Sequence, residues 1–519
     1  MNSTRIAVTP GRFHGGLKLD GHRKLATGKP IASLPLSERY YLWLEQHHGP
    51  AALPCVAVGD RVLGGQIVAA QEGRPGTAIH SPTSGIVADF QDLPAPTAQM
   101  SSARMLVIES DGEDRACHEF GAITDWENAA PETLTERIAQ SGIVGLGGAV
   151  FATGAKIERA AANVTLILNG AECEPYISCD DGLMRERADS IINGARILLR
   201  ALGSKDCLVA IERDKPEAIA AMETAIRDAG DERFRLERIF SLYPAGGERQ
   251  LIEALTGRQV PRGGLPQDIG LVCLNVATAA AVGRAVCRGQ PLTSRITTVT
   301  GPALVAPGNF DVRIGTPIRE LLAAAGGCND PSARLIMGGP MMGVPLQDDR
   351  VPVVKAMNCL LVLPANELSD GQNQRPCIRC GDCAEVCPAR LLPQQMYWEL
   401  RDERFEPARK FGLDACIECG CCDVVCPSHL PLTQYFRWGK SQLHKQFVEH
   451  ERAEHARQRF EARNARLEKQ KAERQARLAA KREALEKARS DSGRRAAIDE
   501  IMARKKRAAD ENNEPGQSE

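Results

Sequence analysis

Two cysteine runs constrain this chain more than any other feature. The first reads Cys377-x-x-Cys380-x-x-Cys383-x-x-x-Cys387-Pro388, and the second repeats it as Cys416-x-x-Cys419-x-x-Cys422-x-x-x-Cys426-Pro427. Two-residue spacers let three thiolates converge on one tight loop. The proline after the last Cys has no N–H to donate and turns the chain away. Such a run holds a 4Fe–4S cluster; where it occurs twice, the fourth Cys of each run ligates the other cluster. Cys377, Cys380, Cys383 and Cys426 then serve one cluster, and Cys387, Cys416, Cys419 and Cys422 the other. Paired zinc sites also use C-x-x-C units, but zinc leaves the third Cys and the Cys-Pro ending unexplained. A disulfide framework suits short secreted chains, and this one has 519 residues. Cys421 has no place in the pattern and reads as incidental.

That length predicts three or four domains with ample core. The net charge of −1 carries no nucleic-acid footprint. Eighteen cysteines, eight of them assigned to clusters, suit a reducing compartment. The first ten residues lack a basic-then-apolar leader. No window reaches the ~18 apolar residues of a membrane span, so a soluble or peripheral, cytoplasmic protein is expected.

Residues 1–35 show no periodicity and are expected to wrap over a later domain. Val56–Val62, Gly65–Ala69 and His80–Val87 are short apolar runs broken by Gly-Asp and Ser-Gly turns, which predicts a small all-β unit. From Ala122 to Gln290 helices and strands alternate, the mark of an α/β unit. Helices are expected over Pro131–Ser141, Asp180–Leu202, Pro216–Ala229 and Glu248–Thr256. Strands are expected over Val164–Leu168, Leu208–Ile211 and Gly270–Leu274. Residues 291–345 turn β-rich again, with a helix ending near Ala325, and Val351–Leu363 offers two more strands. After Gly439 the text becomes a charged helix. Its residues 441–510 hold 20 Lys/Arg against 12 Asp/Glu, with apolar positions too sparse for a heptad seam. A solvated helix is the plain reading, and a basic surface for anionic lipid or an acidic partner is the other. Residues 511–519 read as disordered.

Within the α/β unit, Gly142-Ile-Val-Gly-Leu-Gly-Gly-Ala-Val-Phe-Ala-Thr-Gly-Ala-Lys156 clusters glycines whose N–H groups can approach a phosphate. It is not a clean dinucleotide fingerprint, because Phe151 stands where the third Gly belongs; a Gly-rich turn that only packs a helix remains the alternative. Polar groups then follow strand ends, where α/β sheets bind ligands: Asn169-Gly-Ala-Glu172-Cys-Glu174-Pro175, Tyr243-Pro-Ala-Gly246-Gly247-Glu248, and Asn275.

These segments, in this order, resemble the NADH- and FMN-binding flavoprotein of respiratory complex I. With the β unit before them and the cysteine runs after, residues 12–438 resemble the C subunits of Rnf (Rsx) electron-transport complexes. The resemblance implies a multidomain α+β protein. A barrel-sandwich-hybrid β unit would span 1–121, an α/β FMN/NADH domain 122–290, and a β-grasp, soluble-ligand-binding-like domain 291–365. A two-cluster bacterial ferredoxin domain would span 366–440 and a charged helical tail 441–519. Biotinyl and lipoyl relatives of the first unit carry their cofactor on a hairpin-tip Lys; Gln71–His80 has none, which favours a scaffold.

By the same resemblance, Gly145, Gly147, Gly148 and Lys156 contact the FMN phosphate and ribityl region. Asn169 and Glu172 lie along the isoalloxazine, and Tyr243, Gly246, Gly247 and Asn275 close that pocket. Phe151, Glu174 and Glu248 face NADH. Glu172 and Glu174 stand nearest the hydride chemistry, with orientation and field tuning their expected part. The complex I pattern has Arg where Leu146 stands, Gly at Val150, Asp at Ala171 and Glu at Gly247, and its second adenine-stacking aromatic falls at Arg159. The implied activity is oxidation of NADH, with electrons passing through FMN and two 4Fe–4S clusters to other subunits of a membrane complex that moves ions, and on to a ferredoxin-like carrier. The implied place is peripheral, on the cytoplasmic side of the bacterial inner membrane, with membrane contact indirect or through the basic tail. Two alternatives share parts of the pattern: a microcompartment cobalamin reductase and a flavin-free electron relay or scaffold.

Overall fold

The computed structural model describes residues 11–22, 24–71, 78–97, 102–161, 164–367 and 374–511. The stretch 72–77, within the expected Gln71–His80 segment, and the segment 512–519 lie outside them.

The α/β unit is built on four parallel strands, β1 (Thr165–Gly170), β2 (Cys207–Glu212), β3 (Phe234–Ile239) and β4 (Leu271–Asn275), in the order β3-β2-β1-β4. Every residue of β2 is buried, which is why the strand reads as continuous apolar text with no alternation. Around the sheet run α1 (Pro131–Gln140), α2 (Thr153–Glu158), α3 (Cys179–Glu186), α4 (Ala188–Ala201), α5 (Pro216–Ala229), α6 (Glu248–Thr256) and α7 (Val276–Arg288). The single helix expected over Asp180–Leu202 is two, broken at Arg187, whose φ of −135° is not helical and whose guanidinium reaches Asp311 Oδ2 at 2.8 Å. Periodicity alone does not register this break, because apolar positions continue on both sides. Helices α4 and α7 pack with Gly194 against the Ala279 backbone, so close that no Cβ fits between them.

Before this unit, strands at Arg39–Trp43, Ser102–Ser110, Gly85–Pro94 and Arg61–Val62 form one sheet, and Leu53–Pro54, Ile67–Ala70 and Ile79–His80 a second. After it comes a six-stranded sheet ordered Ala32–Ser33, Gly308–Arg313, Ser294–Thr300, Cys359–Leu363, Arg334–Met337, Val344–Leu346, with a helix at Ile318–Ala324. Of the two strands expected in Val351–Leu363, one forms; Pro352, with no N–H to add to a ladder, makes only an isolated bridge to Pro317. The N-terminal segment does wrap over later elements. Gly16 N–H donates to Val386 O, Leu17 and Tyr243 exchange a pair of backbone hydrogen bonds at 2.8 and 2.9 Å, and Ala32–Ser33 joins the six-stranded sheet at its edge.

Lys355 nails three of these pieces together. It is fully buried, and its Nζ donates to Ala78 O at 2.8 Å and Gly142 O at 2.7 Å, while its own carbonyl accepts from Arg295. Burial pulls its pKa down to about 7.

The last helix runs from Leu432 to Glu511, and its part beyond Lys440 forms a separate unit. Leu467, Leu478 and Leu485 are all exposed there, in keeping with a solvated helix. No helix among the described residues is long and apolar enough to cross a membrane.

Candidate functional site

Strand order reverses between β1 and β4, and an α/β sheet opens a crevice at the carboxyl ends of such a pair. Asn169 is the last residue but one of β1 and Asn275 ends β4, opposite each other in register. Asn169 Nδ2 donates to Gly246 O at 2.8 Å, tying the 243–247 loop to the crevice. Asn275 caps α7 by accepting from Ala277 N, and its Nδ2 donates to Asp180 Oδ2 at 2.6 Å.

The glycine loop closes on the same place. Gly145 N–H donates to Phe151 O and Val150 N–H to Gly145 O, which folds the loop back on itself. Leu146 N–H donates to Thr278 Oγ1 in the first turn of α7, and Gly147 lies against the Asn275 side chain. Gly145, Gly147 and Gly148 thus stand at the N-terminus of a 13-residue helix, where unpaired N–H groups and the helix dipole favour an anion. Buried Arg295, from the six-stranded sheet, braces the loop by donating to Leu146 O at 3.1 Å.

Lys156 and Glu248 meet at this crevice: Nζ lies 2.5 Å from Glu248 Oε1 and 2.7 Å from Cys273 O. Gly247 precedes α6 and Glu248 opens it. The Phe151 ring has the Arg159 guanidinium 5.6 Å from its centroid and the His48 ring at 6.4 Å. A cation therefore stacks where the complex I pattern has an aromatic.

The two acidic residues of the 169–176 loop are both engaged. Glu172 is buried; its carboxylate accepts from Asp180 N at 2.8 Å and Asp181 N at 3.2 Å, capping α3, with Lys215 Nζ at 3.9 Å. Glu174 Oε1 accepts from Met341 N at 2.8 Å and Met342 N at 2.9 Å, so its carboxylate faces the six-stranded-sheet unit. Burial raises its pKa against the lowering effect of those two N–H groups. No hydrogen bond or ion pair among the described residues joins Glu174 to Glu248.

The cysteines gather as the spacing expects. Cys377, Cys380, Cys383 and Cys426 line one cavity of about 240 Å³. Cys387, Cys416, Cys419 and Cys422 line a second, with Cys421 beside them. Each set draws three thiols from one run and one from the other. Four thiols and no carboxylate around a cavity fit a thiolate-held iron–sulfur cubane. Cys421 is not idle: it is buried in an apolar cluster with Tyr243 and Cys419. Tyr243 Oη donates to Cys419 O at 2.6 Å, so the loop that closes the crevice also touches a Cys of the second cavity. Sequence reasoning took in Thr278 with the polar end after Asn275 but passed over Arg295, His48 and the Met341–Met342 backbone. Nothing in the local text around them signals a site, because each acts from a distant segment.

Four family models match the chain in the same order: the RnfC barrel sandwich hybrid domain over 11–113, the Nuo51 FMN-binding domain over 138–284, the SLBB domain over 296–345 and a 4Fe-4S dicluster domain over 376–430. The C subunit of the ion-translocating oxidoreductase complex of Salmonella gallinarum is 46% identical over 468 residues, 90% of this chain and 69% of that protein. The chain belongs to this family of C subunits. The Pseudomonas aeruginosa relative of the same name is 50% identical over 88% of this chain, which spans 58% of its length; that of Salmonella enteritidis is matched over 66% of its length. A chain of an NAD+-reducing [NiFe]-hydrogenase aligns over 58% of this chain and 61% of its own, with 20% identity and a TM-score of 0.44. The resemblance to Rnf C subunits read from the cysteine runs and glycine loop holds, as do the FMN-binding and 4Fe–4S domains and the β-grasp, barrel-sandwich and helical-tail architecture it implied.

Proposed function

We propose that this chain oxidises NADH at an FMN held in the β1/β4 crevice and sends electrons through two 4Fe–4S clusters to neighbouring subunits of a membrane-bound, ion-translocating oxidoreductase. The observation that carries the reading is the 2.6 Å hydrogen bond from Tyr243 to Cys419 O, which sets the crevice directly against a cluster cavity. A bound flavin would take up one hydride, with its two electrons, and release them singly, which matches a two-electron donor to one-electron clusters. The chain supplies binding and orientation. The N–H groups of Gly147 and Gly148 and the α7 N-terminus hold the phosphate, with Gly145, whose own N–H closes the loop on Phe151 O, lining the site and Lys156 as its cation, while Asn169, Asn275 and Gly246 border the ring and Glu172 keeps α3 in place beside it. Phe151 and Arg159 stack the adenine, and Glu248 orients the nicotinamide nucleotide. Glu174 acts through the Met341–Met342 backbone, fixing the wall between crevice and clusters. Cys377, Cys380, Cys383 and Cys426 hold one cluster and Cys387, Cys416, Cys419 and Cys422 the other. The protein sits peripherally on the cytoplasmic face of the inner membrane, and the ion path belongs to its partners.

The test is spectroscopic. Protein loaded anaerobically with FMN, iron and sulfide should show flavin bands over broad iron–sulfur absorption, and NADH should bleach both. Bleaching by dithionite but by neither NADH nor NADPH would leave an electron relay without dehydrogenase activity.

A further inference from the structure

The two cysteine runs are a repeat, and their equivalent faces are treated unequally. Ile417 and Glu418 occupy in the second run the places of Ile378 and Arg379 in the first, and both Arg379 and Glu418 take the same left-handed backbone, with φ of 59° and 58°. The second face is covered by this chain: Ile417 packs with Tyr243, Met341 and Leu17, and Glu418 pairs with Arg437 at 3.2 Å. The first face is open among the described residues. Ile378 is 67% exposed, and Arg375, Arg379 and Cys380 beside it are exposed. Arg379 lies over Trp398 at 5.2 Å.

We propose that the Ile378–Arg379 face is the docking surface for a protein redox partner, one that presents an apolar patch carrying a carboxylate above its own redox centre. This inference rests on the cavities being cluster sites. The covered face shows what such a face takes: apolar side chains over the isoleucine and an opposite charge for its neighbour. Here the charge sign is reversed, arginine where the covered face has glutamate, so the partner supplies the acid. A large exposed aliphatic side chain next to cluster ligands also leaves the cluster thinly shielded from water until something covers it. Electrons then enter on the Tyr243 side, at the cluster of Cys387, Cys416, Cys419 and Cys422. They leave one at a time, oxidising the Cys377 cluster and reducing the partner's centre.

The test uses the intact complex with the full chain. Ile378→p-benzoylphenylalanine, irradiated, should cross-link to another protein of the complex at a peptide that combines apolar residues with an Asp or Glu. Arg379→Glu should weaken retention of that protein on gel filtration by tenfold or more, and converting the cross-linked carboxylate to Lys should restore it. Arg375→Glu, outside the cysteine run, gives the same readout should Arg379→Glu lose iron. A cross-link only to lipid, to this chain's own helix or to nothing overturns the proposal, as does unchanged retention in both charge variants. Retention is read without NADH, so a complex that docks as expected but does not oxidise NADH refutes the proposed function and leaves this surface standing.

Discussion

Lys156 faces two claims, and a double-mutant cycle separates them. In the structure its Nζ contacts Glu248 Oε1 at 2.5 Å and Cys273 O at 2.7 Å, with the Lys side chain 20% and the Glu side chain 39% exposed. The partly solvated pair is worth about 1 kcal/mol or less, and the stranded Cys273 carbonyl adds about 1 kcal/mol. Lys156→Ala should therefore lower the melting temperature by only a few degrees. If Lys156 also serves the FMN phosphate, a charge-assisted contact of about 1.5–3 kcal/mol is lost, and FMN affinity falls about tenfold to a hundredfold. Glu248→Gln removes the competing charge and leaves Lys156 on the Cys273 carbonyl, so it should not weaken FMN, and Lys156→Ala should cost the same factor in that background. Flavin fluorescence titration of the four proteins measures all four affinities. The phosphate role is refuted if Lys156→Ala leaves FMN affinity intact, or if its effect vanishes once Glu248 is Gln, since the lysine would then act only by holding the glutamate.

Three further outcomes are expected. Cys387→Ser should remove the cluster of Cys416, Cys419 and Cys422 and spare the other, halving the iron; EPR of the reduced variant that still shows the 416–422 signal refutes cross-ligation. Lys355→Met should flatten the pH dependence of stability. With a folded pKa of about 7 against about 10.4 unfolded, the unfolded chain binds the extra proton between those values, so wild-type stability rises with pH there by up to about 1.4 kcal/mol per unit. Melts from pH 7 to 9 with equal slopes in both proteins would place the lysine's proton elsewhere. Glu174→Gln, which weakens the hold on the Met341–Met342 backbone, should slow the passage of electrons from reduced flavin to the clusters in stopped flow while bound FMN and flavin reduction by NADH stay unchanged; slower flavin reduction by NADH would instead place Glu174 at the donor site.

Much of this protein was legible because its chemistry is written in local spacing. The eight cysteines needed only their intervals to be divided into two sets of four, and the same sets line the two cavities. The carboxyl ends of β1 and β4 were legible for a similar reason. A buried parallel strand ending in Asn is a short, strong pattern, and the register sets Asn169 opposite Asn275. The break at Arg187 was not legible, because its cause, Asp311, lies 124 residues away. Strand Phe234–Ile239 escaped as well: at the sheet's edge its middle residues are only partly buried, so the text Phe-Arg-Leu-Glu-Arg-Ile lacks the continuous apolar run of its neighbours.

Direction was the part no local pattern could carry. Read along the chain, Glu172 and Glu174 look like a pair of acids at one strand end, equally open to a ligand. In the fold they diverge: Glu172 turns inward to the α3 N-terminus, and Glu174 turns outward to the Met341–Met342 backbone. Both carboxylates accept backbone N–H groups, so neither is poised as a free base, and the proposed transfer of hydride and electrons has no need of one there. Their placement instead fixes the two walls that matter. One holds the helix whose Asp180 meets Asn275 at the crevice, and the other joins the loop bearing Met341, which packs with Ile417 and Tyr243 beside Cys419. Glu172 holds α3 at the crevice through buried hydrogen bonds, which keep their geometry better than surface contacts do, and Glu174 ties the crevice loop to the Met341 loop beside the cysteine segment. A distance between flavin site and first cluster that does not drift is what electron transfer between them requires.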